Sequence, residues 1–306
     1  MNFTQLAGLD LSANKLHGQI SNSVFKLKNL EFLDLSNNYL TCIVEFDEFV
    51  TLINLTTLDI FSNQLSEFSN FLRNQHELKY LNLSNNKIHG HFPEWMWNTS
   101  TTSLKFLDLS NNFLTVFGQH PIFPPWTRLQ VLDLWFNLLQ GSLPIPPVST
   151  LHFYISNNSL NGNIPFSFCN LSSLQVLDLA NNNLSGSLPR WLDNFRAFSI
   201  SFQIVRGIEE NYLRLAYAYS MMMKNKGKDL FYEKVQELFI NIDFSNNRFV
   251  GEIPESIGNL KGAQLLNLSN NAFIGRIPSS LKILVEMESL DLSQNKFSGD
   301  ILQQLT

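Results

Sequence analysis

The sequence predicts a solenoid of the α/β type: a right-handed superhelix, or horseshoe, with a parallel sheet on its concave face and one non-repeating island. Three observations predict it. Residues 174–189 read L-x-x-L-x-L-x-x-N-x-L-x-G-x-L-P, with Leu174, Leu177 and Leu179 at strand-like alternation around Val176 and Asp178, both expected to face water. The turn asparagine of that pattern returns at Asn14, Asn38, Asn63, Asn86, Asn112, Asn137, Asn158, Asn182, Asn247, Asn271 and Asn295, at spacings of 24, 25, 23, 26, 25, 21, 24, 65, 24 and 24. Nine of these ten intervals fall in the period of about 20–29 residues that stacked leucine-rich coils show. The interval of 65 exceeds a normal period of 24 by 41 residues, which marks a single insertion.

Composition agrees with such an array and narrows its partners. A chain of 306 residues could form two globular domains, but a solenoid grows one unit at a time and each unit touches its neighbours. Apolar content of 44% supplies a continuous core. Net charge is −5 with 15% charged residues and no clustering of Lys or Arg, so no nucleic-acid partner is expected. No apolar run reaches the ~18 residues needed to span a bilayer. The opening MNFTQLAGLDLSANKL has no charged leader and is read as a repeat, not as a signal peptide. Cys42 and Cys169 lie about five coils apart, beyond disulfide reach at ~4.8 Å per strand, and Cys169 is expected as a small buried apolar side chain.

Within each coil the first leucines should form a short strand, and stacked strands one parallel sheet. The turn Asn should satisfy backbone groups of its own and the neighbouring coil, which burial would otherwise orphan. A second motif, Gly-x-x-Pro, follows in many copies: Gly90 with Pro93, Gly141 with Pro144, Gly162 with Pro165, Gly186 with Pro189, Gly251 with Pro254 and Gly275 with Pro278. Glycine permits a tight turn, and proline fixes φ and cannot donate to an inner ladder, so a short edge-like segment is expected before the convex side. The copies after Asn38, Asn63 and Asn112 lack this motif, and their convex sides are expected to be irregular; Pro121, Pro124 and Pro125 argue against a helix in the last of them.

The chain therefore divides into eight units over 1–196, an island over 197–237, and three units over 238–306. The island holds four of the seven tyrosines, Tyr212, Tyr217, Tyr219 and Tyr232, and the densest charge. A long segment without the solenoid pattern is usually functional or disordered. Neither end shows a capping unit, so the chain is expected to be a fragment of a longer protein.

Repeats of 24 ending L-x-G-x-I-P resemble the plant-specific form of the leucine-rich repeat. Residues 219–281, which include NIDFSNNRFVGEIP after the island, look like the island and last repeats of plant receptor-like proteins, a class of cell-surface immune receptors that lack a kinase. The resemblance covers almost the whole chain. It implies an ectodomain on the outside of the plasma membrane, tethered by a helix absent from this chain, that signals through a receptor kinase binding near the island and last repeats. Lys226, Gly227 and Tyr232 match the Lys-Gly pair and following Tyr of the family's island, and the resemblance implies that they order it or contact that co-receptor.

Residues between the strand leucines should line the inner face. Asp10, Asp34, Asp59, Asn82, Asp108, Asp133, Tyr154, Asp178, Asp243, Asn267 and Asp291 hold its central position. A carboxylate repeated in so many copies reads as structural rather than catalytic, with mild repulsion on a wet face. The unusual residues there are aromatic. Phe32, Tyr80, Phe106, His152 and Tyr154 sit on strands, Phe61 and Trp135 replace the Ser of most copies, and Phe136 follows. Of these, Phe61, Tyr80, Phe106, Trp135, His152 and Tyr154 are the candidate contacts for a protein or peptide ligand, since exposed aromatics in a strip anchor interfaces. Sequons occur at Asn2, Asn54, Asn82, Asn98, Asn157, Asn170, Asn183 and Asn267; all but Asn2 are candidate glycosylation sites. His89 and His91 have a metal-like spacing but no further ligand beside them, so neither a metal nor another cofactor is expected. No nucleophile elbow, phosphate loop or H-E-x-x-H motif appears. The reading is a non-enzymatic extracellular recognition module in defence or developmental signalling. The alternative is a soluble inhibitor of a pathogen glycosidase of the polygalacturonase-inhibitor type, a class without an island.

Overall fold

The computed structural model describes residues 3, 5–21, 23–43, 52–117, 126–190, 192, 221–225, 228–232 and 240–301. They form two compact units, residues 1–150 with 154–159 and residues 151–153 with 160–306.

In the first unit the strands Gly8–Asp10, Phe32–Asp34, Thr57–Asp59, Tyr80–Asn82, Phe106–Asp108 and Val131–Asp133 pair in parallel and in chain order. Leu9, Leu33, Leu58, Leu81, Leu107 and Leu132 are in register, so one leucine row runs down the buried side. In the second unit Val176–Asp178, Asn241–Asp243, Leu265–Asn267 and Ser289–Asp291 repeat the arrangement, with Leu177, Ile242, Leu266 and Leu290 in register. Residues on either side of the island are thus direct neighbours, and the insertion leaves the ladder unbroken. Within the island, Met221–Asn225 and Lys228–Tyr232 pair antiparallel, Asn225 opposite Lys228. Lys226 and Gly227 lie outside the described residues, as do most of 197–237 and the side chain of Tyr232.

Parallel strands of three residues cannot hold a coil by themselves, and the turn asparagines supply the rest. Asn112 is buried and its Nδ2 donates to Leu109 O (3.1 Å) and Ser110 O (3.0 Å) in its own coil and to Leu83 O (3.0 Å) in the preceding one. Its Oδ1 accepts from Ile88 N–H at 3.0 Å. Asn38, Asn63, Asn86, Asn137 and Asn158 in the first unit, and Asn247, Asn271 and Asn295 in the second, repeat this set. The residue before each turn asparagine takes a left-handed conformation, as at Asn111 (φ 51°) and Asn246 (φ 53°), which explains the paired asparagines of the motif.

After the turn, Gly162 (φ 82°) and Gly186 (φ 84°) show why glycine opens the second motif: the backbone there is left-handed. The short segments expected after the turn are present, and Asn183–Gly186, Arg248–Gly251, Ala272–Gly275 and Lys296–Phe297 also pair in parallel as a second sheet, which the motif does not predict. The proline then caps a 3₁₀ turn: Pro93 before Glu94–Asn98, Pro165 before Phe166–Asn170, Pro254 before Glu255–Asn259 and Pro278 before Ser279–Ile283. The helical part of the α/β reading is thus 3₁₀, not α, among the described residues.

One expectation fails at the coil after Asn63. It was expected to be irregular there, yet Asn70–Asn74 is a 3₁₀ helix, because Ser69 Oγ accepts from Phe71 N–H (3.2 Å) and caps it in place of proline. The convex parts of the other two copies, with Pro121, Pro124 and Pro125, lie outside the described residues. The first unit fills its less regular coils with aromatics: Phe92 meets Phe68, Trp97, Phe117 and Trp126 at ring distances of 5.5, 5.0, 4.7 and 5.9 Å. Trp126 is fully buried, and its Nε1–H donates to Thr99 O at 3.0 Å. The second unit has instead a phenylalanine stack, with the rings of Phe249, Phe273 and Phe297 nearly parallel at centroid distances of 6.2 and 6.4 Å. Cys169, expected buried, is half-exposed at the end of a 3₁₀ turn, where its thiol points at Asn170 Oδ1 (3.7 Å).

Candidate recognition face

The side chains between the strand leucines do not all face water. Val176 and Asp178, expected exposed, are buried at 0% and 8%. Asn82, Asp108, Asp133, Asp243 and Asn267 are buried as well. Each central Asp or Asn turns its Oδ1 back on its own chain, to the N–H two residues on: Ser36 to Asp34 (2.8 Å), Phe61 to Asp59 (2.8 Å), Ser110 to Asp108 (2.9 Å), Trp135 to Asp133 (2.8 Å) and Ser245 to Asp243 (2.9 Å). The row is a stack of side-chain turns that close each strand. Its repetition is structural, as the sequence suggests, but the face is drier than a wet ladder.

That dryness shifts two carboxyls. Asp59 is pushed up to about 6, first by burial and then by Asp34 and Asp108, against the Phe61 N–H bond and the Asn82 amide that lower it. Burial raises Asp108 also. Tyr80 lies in the same network. Its hydroxyl donates to Asp59 Oδ2 (3.4 Å), Asn82 Nδ2 donates to the same oxygen (3.3 Å), and its ring stacks on Phe106 at 4.4 Å and 8°. Burial raises the Tyr80 phenol well above its ordinary value.

The candidate aromatics therefore separate. Tyr80 (9% exposed) and Tyr154 (1%) are part of the wall and not accessible anchors. His152, in the second unit, is half-buried, and burial outweighs the Gln175 hydrogen bond to pull it down to about 4. Phe61, Phe106 and Trp135 keep part of their rings accessible, and Phe32 is exposed. Phe136 is 52% exposed, packs on Trp135 at 5.3 Å, and has φ 51° where most copies place Asn. A bulky residue in that conformation is a backbone outlier. Phe113 and Leu138, each directly after a turn asparagine, are about half-exposed beside it; Leu138 N–H bonds Leu114 O (2.9 Å), next to Phe113. Reading the strand positions alone misses these two. The signal is a large side chain where most other copies carry Lys, Gln, Asn, Arg or Ser, and Tyr39, at the same position in its coil, is exposed as well.

The sequons separate in the same way. Asn82 and Asn267, read from sequence as acceptors, are buried, and their Nδ2 groups donate to Asp59 Oδ2 (3.3 Å) and Asp243 Oδ2 (3.0 Å), which leaves no room for a sugar on either in the folded chain. Asn157 and Asn183 are half-buried, whereas Asn54, Asn98 and Asn170 are exposed. Among the described residues no cluster of His, Cys, Asp and Glu could hold a metal ion.

The leucine-rich-repeat family models match residues 4–65 and, as separate repeats, residues 77–99, 103–124, 149–171, 173–195, 239–260 and 263–284, together well over half of the chain. The chain is 35% identical over 193 residues to Receptor like protein 22 of Arabidopsis thaliana, covering 55% of this chain and 25% of that one. It is 31% identical to Receptor-like protein 18 of the same plant, over 83% of this chain and 44% of the relative. It spans less than half the length of either. Among solved structures it resembles a TDR receptor (TM-score 0.72, 25% identity, 94% of this chain and 43% of that one). It also resembles the Arabidopsis receptor kinase HAESA solved with the peptide hormone IDA and the co-receptor SERK1 (TM-score 0.58, 26% identity, 99% and 52%).

Proposed function

The chain belongs to the leucine-rich-repeat family, and from that premise we propose that it is the sensing part of a plant receptor-like protein, which binds a protein or peptide ligand outside the cell and passes the event to a receptor kinase. It is a recognition module and not an enzyme: its relatives are receptor-like proteins and its structural neighbours are receptors. The observation that carries the ligand reading is the accessible aromatic set Phe61, Phe106, Trp135 and Phe136 in the first unit. Large rings on a rigid sheet bury much area at low entropic cost, the property of interface anchors. The HAESA complex, with a peptide hormone and a co-receptor on one receptor, supports the two-partner arrangement.

In this proposal the island serves the co-receptor. Its antiparallel strands Met221–Asn225 and Lys228–Tyr232 flank Lys226 and Gly227, and the ladder continues undisturbed beneath the insertion. Among the described residues no helix is long and apolar enough to cross a membrane. The test is purification, from leaf membranes, of the full-length receptor that carries this segment. A receptor kinase should come with it and be lost when residues 221–232 are deleted. Recovery of no kinase, or of the same kinase without the island strands, defeats the proposal.

A further inference from the structure

The outer side of the first unit holds an open cleft of about 550 Å³ lined by Arg73, His76, Glu94, Trp95 and Asn98. Its volume lies in the range of about 300–1,000 Å³ typical of ligand sites. Two successive outer turns build it, Asn70–Asn74 and Glu94–Asn98. Thr99 fixes their spacing: its hydroxyl reaches Arg73 O and Trp95 O, each at 3.3 Å. The Ser100 hydroxyl ties the same turn to Gln75 O. The Arg73 guanidinium lies 5.6 Å from the centre of the Trp95 ring. In a 3₁₀ helix residues i and i+3 eclipse, so Trp95 and Asn98 project on the same side. Asn98 is exposed and opens the sequon Asn98-Thr99-Ser100.

We infer that Asn98 carries an N-linked glycan whose first N-acetylglucosamine seats in this cleft against Trp95. The inference rests on the extracellular reading above, since only a secreted chain meets the transferase. In the transfer, Asn98 Nδ2 bonds to the anomeric carbon of a lipid-diphosphate-linked oligosaccharide. The C1–O bond to the diphosphate breaks, the diphosphate leaves with the electron pair, and the amide gives up one proton. The sugar has the chemistry the cleft lacks. Its C–H face packs on the indole, its hydroxyls donate to the Glu94 carboxylate, and its acetamido oxygen accepts from Arg73 or His76. The covalent tether holds it at high effective concentration, so a weak contact suffices to seat it. The other exposed acceptors among the described residues, Asn54 and Asn170, are not among the residues that line this cleft.

The test expresses the 306-residue chain behind a supplied secretion signal in a glycosylating eukaryotic host. A failure then speaks to the cleft, not to where the native protein resides, which the leaf-membrane purification tests separately. Mass spectrometry should find Asn98 occupied. The glycosylated wild type should melt higher than Asn98→Gln by roughly 1–2 °C, the shift that a contact of aromatic-pair strength gives in a chain of this size. Trimming to a single N-acetylglucosamine should preserve the shift, Trp95→Ala should abolish it, and Asn170→Gln should leave the melting temperature unchanged. Isotope-labelled N-acetylglucosamine in the wild type should show upfield ring-current shifts, a readout that holds even where Trp95→Ala does not fold. An unoccupied Asn98, equal melting temperatures, a difference that survives Trp95→Ala, or free-sugar chemical shifts would each overturn the inference.

Discussion

Asn112 and Leu83 sit in successive coils, and the side-chain amide of one donates to the backbone carbonyl of the other at 3.0 Å. The same amide bonds two carbonyls of its own coil, and its oxygen takes Ile88 N–H. Replacing Asn112 with Ala leaves four buried backbone groups without that partner. Ile88 N–H is then orphaned, at a cost of about 1–3 kcal/mol, while Leu83 O, Leu109 O and Ser110 O each lose one of two donors and keep Asn86 Nδ2, Asn137 Nδ2 and Asn85 N–H, so the variant should lose roughly 2–4 kcal/mol, with amide exchange rising first in the two adjoining coils. Asn14 is exposed and its amide bonds only its own coil, to Leu11 O and Ser12 O. Asn14→Ala should therefore cost less than about 1 kcal/mol. Equal losses in the two variants would refute the clamp.

The pH dependence contains opposed contributions: Asp59 and Asp108, both raised, in the first unit, and His152, lowered, in the second. Asp59 is raised to about 6 in the folded chain, so the folded state holds its proton more tightly than the unfolded one. Its contribution favours folding below the unfolded value of about 4, declines as pH rises to 6, and stays unfavourable above. His152 is lowered to about 4, so its contribution is present above the unfolded value of about 6.5 and is lost as pH falls toward 4. Relative to the wild type, Asp59→Asn should make stability rise more, or fall less, between pH 4 and 6.5, and His152→Gln should do the reverse, with Asp108 keeping its own contribution in both variants. Chemical denaturation at pH steps checks both. Asparagine suits position 59 because Asn82 and Asn267 close their strands through the same oxygen.

The period, the turn asparagine and the glycine–proline element are legible in the sequence because each depends on a local pattern repeated many times. Burial of the inner row is less legible. Whether Asp108 or Tyr80 meets water is set by the residues stacked above and below it, one coil away, and not by its own strand. The Ser69 cap escapes notice for a related reason, since it stands in a single copy and replaces a motif that copy lacks, and the cluster around Phe92 does so because its rings, Phe68, Trp97, Phe117 and Trp126, come from different coils. Phe113 and Leu138 show only against the polar residues that most other copies carry at the same position.

Tyr80 and Trp135 look alike as candidate anchors in the sequence, and the structure separates them. Tyr80 is 9% exposed, stacked on Phe106 and bonded to Asp59. Tyr80→Ala should destabilise by about 3 kcal/mol through the cavity and the carboxyl it leaves behind, so a loss of binding in that variant says nothing about contact. Trp135 is only half-buried, and Trp135→Ala should change thermal unfolding far less while removing the ligand response in leaf cells. A large stability loss at Trp135 together with little at Tyr80 would reverse the assignment.

Phe136 supplies the sharpest trade between stability and recognition. Its φ of 51° is shared with Asn37, Asn85, Asn111, Asn157, Asn181, Asn246 and Asn270, residues that tolerate the left-handed region, whereas a phenylalanine there is strained. Such strain costs on the order of 1–3 kcal/mol and persists where the side chain has another use. The ring is half-exposed, so little core packing offsets that cost. Phe136→Asn should therefore raise stability by about 1 kcal/mol. In the full-length receptor it should weaken the ligand response along with Trp135→Ala, since the two rings pack at 5.3 Å. A stabilised variant with an unchanged response would mean that the strain serves something other than this aromatic pair.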